Sequence, residues 1–256
     1  MGPQELSVDG MFPSFERSPQ FYARLGGLLY LAIIGLGIFG ELFVRGTSVV
    51  SGDATATANS ILRSPFLWRG SIAGDLLMHV LDIPVILILY LLLRPVSESL
   101  ALLATFFNLV QTAVLVANKL FLLVPLFLQE DVGYLKAFSP EQLHALSYLT
   151  VKAHGYGFGI GLVFFGFACL VRGYLIVRSG FLPKFLGIFI LIAGLSYLMN
   201  SFALLLAPSL AASIQPGIVV PAYVGELSLC LWLIVKGVNT AQWEQRTGSA
   251  SALPAR

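Results

Sequence analysis

Segment after segment of about 20 apolar residues, more than a soluble core of this size could enclose, is the feature that most limits what this chain can become. Six can be read, at residues 22–44, 71–93, 100–128, 151–177, 185–207 and 217–235. Only 11% of the 256 residues are charged and 57% are hydrophobic, whereas soluble domains carry about 25% charged residues. Hydrocarbon offers an unpaired backbone group no partner, so each segment must be helical. The expected fold is all-α: a polytopic transmembrane helical bundle of six spanning helices over residues 21–238. Polar tails at 1–20 and 239–256 flank it and are expected to be disordered. The first segment is too long for a secretory signal and lacks a small-residue cleavage site, so it is expected to stay in the mature protein.

Several local signals refine this outline. Pro125 in the third segment predicts a kink or an early exit from the membrane. Ser139-Pro140-Glu141-Gln142 is a capping box with Pro at the first helical position, so the fourth helix should begin well outside the bilayer, with His144 projecting from the bundle. The stretch 46–59, rich in Ser, Thr and Ala, is the longest irregular piece expected. With the N-terminus in the cytoplasm, Arg17, Arg24, Arg94, Arg172, Arg178, Lys184, Lys236, Arg246 and Arg256 fall on the inner side. Arg45, Arg63, Arg69, Lys136 and Lys152 fall outside. That bias predicts both termini cytoplasmic. Tyr90–Arg94 closes the second segment much as Tyr174–Arg178 closes the fourth, at the same predicted depth. A duplicated helix pair or two generic interfacial anchors would each explain it.

The formal net charge of +2 comes with no dense run of Lys or Arg, which argues against a nucleic-acid partner. Cys169 and Cys230 lie in apolar segments and read as small hydrophobes. Gly35-Leu36-Gly37-Ile38-Phe39-Gly40 matches the GxGxxG string, but it lies inside a span, without the strand and soluble βαβ setting a dinucleotide needs. The glycines at 155, 157, 159 and 161 form a packing face, expected to meet the first segment.

The ionisable groups carry the functional signal. A charge at mid-bilayer costs about 2.5 to 3.5 kcal/mol on insertion scales, so each needs a partner or a wet cavity. Asp75, His79 and Asp82 share one helical face, at depths of roughly 9, 15 and 20 Å from Arg69 at a rise of about 1.5 Å per residue. Glu226 adds a carboxylate from the sixth segment, and Glu41 either joins it or pairs with Arg45 one turn on. His154, Asn118, Lys119, Tyr156, Tyr197 and Asn200 lie at similar depths. Asn108 and Gln111 sit deeper and read as packing groups. The simplest construction is one polar cavity in the outer half of the bundle. Its catalytic candidates are Asp75, Asp82, Glu226 and Glu41, with His79 and His154 as shuttles. Its ligand-binding candidates are Asn118, Lys119, Tyr156, Tyr197 and Asn200. A purely structural alternative pairs Asp75 or Glu226 with Lys119. Asp75, His79, Asp82 and His154 could chemically hold a divalent ion, but their spacing matches none of the zincin strings, so no metal is expected, and the residues do not point to any cofactor.

The strings Arg24-Leu25-Gly26-Gly27-Leu28-Leu29-Tyr30-Leu31, Gly40-Glu41-Leu42, Leu92-Leu93-Arg94-Pro95-Val96, His154-Gly155-Tyr156-Gly157, Arg178-Ser179-Gly180-Phe181-Leu182-Pro183 and Gly225-Glu226-Leu227-Ser228-Leu229 resemble the bacterial membrane family catalogued as domain of unknown function 4386. The resemblance covers residues 20–238. It implies a multi-pass protein of the bacterial cytoplasmic membrane and brings no mechanism. From the residues, three functions stay open. One is an intramembrane acid/base enzyme acting on a lipophilic small molecule. Another is a proton-coupled small-molecule carrier, and the last a non-catalytic lipid-binding or accessory protein in the bilayer.

Overall fold

The computed structural model describes residues 18–130 and 132–251. Helix α1 (Pro19–Ile38) runs into a π-helical turn, Phe39–Arg45, and one last α-turn, Gly46–Ser48. A short helix α2 (Ala54–Arg63) precedes α3 (Pro65–Leu93). Next come α4 (Glu98–Asn118), α5 (Leu120–Phe127), a 3-10 turn at Gly133–Ala137 and α6 (Pro140–Ser179). The chain closes with α7 (Lys184–Leu206), α8 (Pro208–Ile218), α9 (Val220–Val235) and α10 (Thr240–Ser251). No strand occurs among the described residues.

Among the described residues, five helices are long and apolar enough to cross a membrane: Pro19–Ser48, Pro65–Leu93, Glu98–Phe127, Pro140–Ser179 and Lys184–Leu206. The sixth expected span is shorter than the sequence reading placed it. Helix α9 has 16 residues, about 24 Å at 1.5 Å per residue, against a hydrocarbon core of about 30 Å. It qualifies as a span only when taken with Thr240–Gly248, which turns away from it by 95°.

The helices form a closed ring. α1 packs on α3, α3 on α4, α4 on α6, α6 on α7 and α7 on α9, and α9 returns to α1. The backbones of α6 and α7 touch: a Cβ added at Gly187 would lie 2.6 Å from the Gly173 carbonyl oxygen. Small residues allow such approach where lipid supplies no hydrophobic drive. The sequence reading set the glycine face of α6 against the first segment; it meets α4 and α7 instead. A Cβ at Gly157 would collide with Asn118 and one at Gly161 with Leu115, while Gly159 faces Leu204.

Two ends close the ring. At one, here the crown, the capping box is complete: the Ser139 hydroxyl accepts from Gln142 N and Gln142 Oε1 from Ser139 N. α6 does begin early, but its first turns pack on α2 instead of projecting freely, with His144 Nδ1 3.3 Å from Thr55 Oγ1 and Tyr148 Oη accepting from Gly52 N. The irregular stretch expected at 46–59 is therefore largely helical, because Asp53 caps α2 by accepting from Ala56 N at 2.8 Å. Buried Trp68 donates to the Leu122 carbonyl there, within a core of Val44, Ile61, Ile72, Leu122, Leu126 and Val151.

At the other end, the base, the expected disordered tail is helical from Thr240. Trp243, 2% exposed, donates to the Leu92 carbonyl, and Arg246 donates to the Arg178 carbonyl. One short helix thus bonds to Leu92 in the first Tyr-to-Arg string and to Arg178 at the end of the second. The Gln20 side chain joins first to last, donating to the Lys236 carbonyl and accepting from Val238 N. The N-terminal tail expected at residues 1–20 lies, up to residue 17, outside the described residues.

Candidate functional site

The polar side chains that the sequence points to divide into two groups stacked along α3. The crown group centres on Asp75, which has no exposure. Arg45 grips it with Nη1 at 2.8 Å from Oδ2 and Nη2 at 3.3 Å from Oδ1, and Lys119 Nζ lies 2.9 Å from Oδ2. Arg45 Nε also meets Glu41 Oε2 at 2.7 Å. Two carboxylates and two cations therefore neutralise one another. Both cations come from irregular backbone: Arg45 and Glu41 from the π-helical turn, and Lys119 from the break between α4 and α5. At that break the helix tightens to three-residue bonding, Lys119 N to Val116 O and Leu122 N to Lys119 O. Gly40 leaves the space, since a Cβ there would lie 2.6 Å from Asp75 Oδ1. The GxGxxG string thus ends on a residue that makes room for an ion pair.

His79, one turn along α3, and His154 on α6 are buried beside this network, each within electrostatic reach of Lys119. The Nε2 atom of each is buried without a hydrogen-bond partner. Asn118 donates to the His154 carbonyl at 2.9 Å, while its Oδ1 is also buried and unbonded. These are strong hydrogen-bonding atoms left open, which a buried polar site holds only at a cost.

The second group lies about 10 Å further along α3 at 1.5 Å per residue. Asp82 Oδ2 accepts from Thr112 Oγ1 at 2.6 Å and Asn108 Nδ2 at 3.1 Å, and Asn108 also donates to Gln111. Glu226 accepts from Tyr30 Oη at 2.9 Å and from Tyr197 Oη. Arg172, 7% exposed, lies within electrostatic reach of both carboxyl groups, yet among the described residues it forms no ion pair and its Nη2 is unbonded.

Of the residues singled out from sequence, Asp75, Glu41, His79, His154, Asn118 and Lys119 gather in the crown group, and Asp82, Glu226 and Tyr197 in the second. Tyr156 and Asn200 are half-buried and make no hydrogen bond within either group. Asn108 joins α4 to α3 through Asp82, and Gln111 Oε1 accepts from Asn108. Tyr30, Thr112 and above all Arg172 were missed. Arg172 was assigned to an inner connection, although it lies six residues before Arg178 on one helix, about 9 Å deeper. Two arginines so spaced cannot both sit at one interface, and that was the available signal. Among the described residues no three His, Cys, Asp or Glu side chains converge as a metal-ligand set.

The sequence profile described as Domain of unknown function (DUF4386) matches residues 25–237. An uncharacterised protein of Archaeoglobus fulgidus is 29% identical over 169 residues, which cover 65% of this chain and 83% of the archaeal one. That relative is archaeal, where the sequence resemblance pointed to bacteria. No solved structure matches the chain.

Proposed function

The chain belongs to the DUF4386 family, and from that premise and the geometry above we propose that it is a proton-coupled carrier of a small polar or amphipathic molecule. Its setting is the cytoplasmic membrane of a bacterium, with both termini inside. The observation that carries the reading is the meeting of two irregular backbones on Asp75. Carriers interrupt their spanning helices where a substrate must be gripped inside the bilayer, since only there does non-helical backbone find partners. In this reading the substrate meets His79 Nε2, His154 Nε2 and Asn118 Oδ1. A charged substrate group then displaces one member of the Arg45–Asp75–Lys119 network. The ionisable groups form a column along the bundle, which suits passage better than a single reaction centre does.

The test is uptake into liposomes holding the purified protein, with an imposed pH gradient and an isotope-labelled extract of small metabolites. At least one compound should accumulate with the gradient, collapse with a proton ionophore, and fail to accumulate in Asp75→Asn and His79→Gln. No accumulation in either gradient direction would overturn the reading. A second reading, the intramembrane acid/base enzyme acting on a lipophilic molecule, draws on Glu226 and its two tyrosine hydroxyls. A compound of changed mass in the same experiment would favour it over the carrier.

A further inference from the structure

We propose that Asp82 and Glu226 share a single proton, which makes the middle of the ring a proton-binding site with Arg172 as its counter-charge. The inference deepens the carrier reading by locating the coupling proton and fixing its number at one. It starts from a charge imbalance. The crown group is neutral within itself, Glu41 and Asp75 against Arg45 and Lys119, and has no cation to spare. The second group holds two carboxyl groups and one guanidinium. The titratable neighbours of Glu226 are Tyr30 on α1, Tyr197 on α7, Tyr223 and Cys230 on its own helix, Cys169 and Arg172 on α6, and Asp82 on α3. Asp82 is met by Thr112 and Asn108 from α4 and, at longer range, by Arg172, Cys169 and Glu226. Arginine is the one cation among them. With both carboxyl groups ionised, one negative charge stays uncompensated inside the bundle, where it is costly.

One proton removes the imbalance, and two would strand Arg172 as an unpaired buried cation. A metal cation fits poorly. It needs several convergent free oxygens, and here both Glu226 oxygens already accept from tyrosines and Asp82 Oδ2 from Thr112 and Asn108. Hydroxyl partners suit a proton, because a tyrosine oxygen that donates to a carboxylate can accept from a carboxylic acid by rotating its hydrogen.

The experiment is infrared spectroscopy of the full chain in lipid nanodiscs, reading the protonated-carboxyl stretch at neutral pH. Wild type should show one such carboxyl in the bundle. Glu226→Gln and Asp82→Asn should each abolish it, because either leaves one carboxylate against one guanidinium. Arg172→Gln should double it, and Arg172→Lys should keep it single, so a failure of the glutamine variant to fold leaves the count measurable. A proton retained in both carboxyl variants, or a band displaced by sodium at constant pH, would overturn the site. The count needs no substrate. One proton without transport therefore rejects the carrier and leaves the site, whereas transport with an unchanged count in Glu226→Gln rejects the site and leaves the carrier.

Discussion

Replacing Asp75 by Asn tests whether the crown network holds the bundle together. The change keeps shape and removes the carboxylate that touches both Arg45 and Lys119. Arg45 retains Glu41 at 2.7 Å, but Lys119, with 4% of its side chain exposed, loses its salt-bridge partner. Breaking a buried pair from one side costs about 3 to 5 kcal/mol, and the lower figure applies because one cation keeps a partner. At about 2–4 °C per kcal/mol for a chain of this size, 3 kcal/mol lowers the melting temperature by roughly 6–12 °C. Adding Lys119→Met removes the stranded charge and should return most of the loss, to within about 1 kcal/mol of wild type, since well-packed apolar replacements of buried pairs are often neutral. The assay is thermal unfolding in detergent, followed by tryptophan fluorescence, for wild type, both single variants and the double. An Asp75→Asn protein melting at or above wild type would refute this reasoning, because the carboxylate would then cost more buried than its pairs return.

Gly157→Leu and Gly161→Leu should each lower thermal stability, since a Cβ at these positions already meets Asn118 or Leu115; unchanged melting curves would remove the packing claim for α6. Gly187→Ala places a Cβ 2.6 Å from the Gly173 oxygen, so a loss of about 1–3 kcal/mol by overpacking is expected from the same melt. Trp243→Ala should cost about 3–5 kcal/mol through the emptied site and the lost bond to the Leu92 carbonyl, and a melt within error of wild type would show that α10 contributes nothing to the bundle. Reporters fused at Gly2 and Arg256 should both be found on the cytoplasmic side, and either one outside would refute the orientation.

What the sequence made legible was whatever depends on neighbours along the chain. The capping box at Ser139 and the i, i+4 pairing of Glu41 with Arg45 are local, and both are present in the fold. Lys119 could be offered Asp75 or Glu226 as a partner because all three are charges in apolar runs at similar depths, and only the fold selects Asp75. Arg172 was missed because a residue near the end of a span can be assigned to a connection, and only the fold brings it within electrostatic reach of Asp82 and Glu226. The same limit hid α10: a polar segment reads as a tail until Trp243 is seen to fill a slot between Leu92 and its neighbours. The π-helical turn leaves no trace in hydropathy at all, since it changes hydrogen-bond spacing and leaves composition untouched. One polar cavity was expected where the fold holds two groups: the depths of Asp75 and Asp82 could be counted along α3, but which neighbouring helix supplies partners at each depth could not.

The order in which these side chains enter the bilayer follows from the same pairings. If spans are inserted from the N-terminal side, Arg45 arrives with Glu41 beside it, and Asp75 then enters where Arg45 already waits. Lys119 later finds Asp75, Arg172 comes within electrostatic reach of Asp82, and Glu226 meets Tyr30 and Tyr197, both delivered before it. Asp82 is the exception. Its donors, Asn108 and Thr112, lie 26 and 30 residues downstream, so α3 must carry a bare carboxyl toward mid-bilayer, at about 2.5 to 3.5 kcal/mol, until α4 follows. The pair α3 and α4 should therefore leave the insertion machinery together, as a hairpin, and separating them by a long linker should trap the chain at that step and at no other.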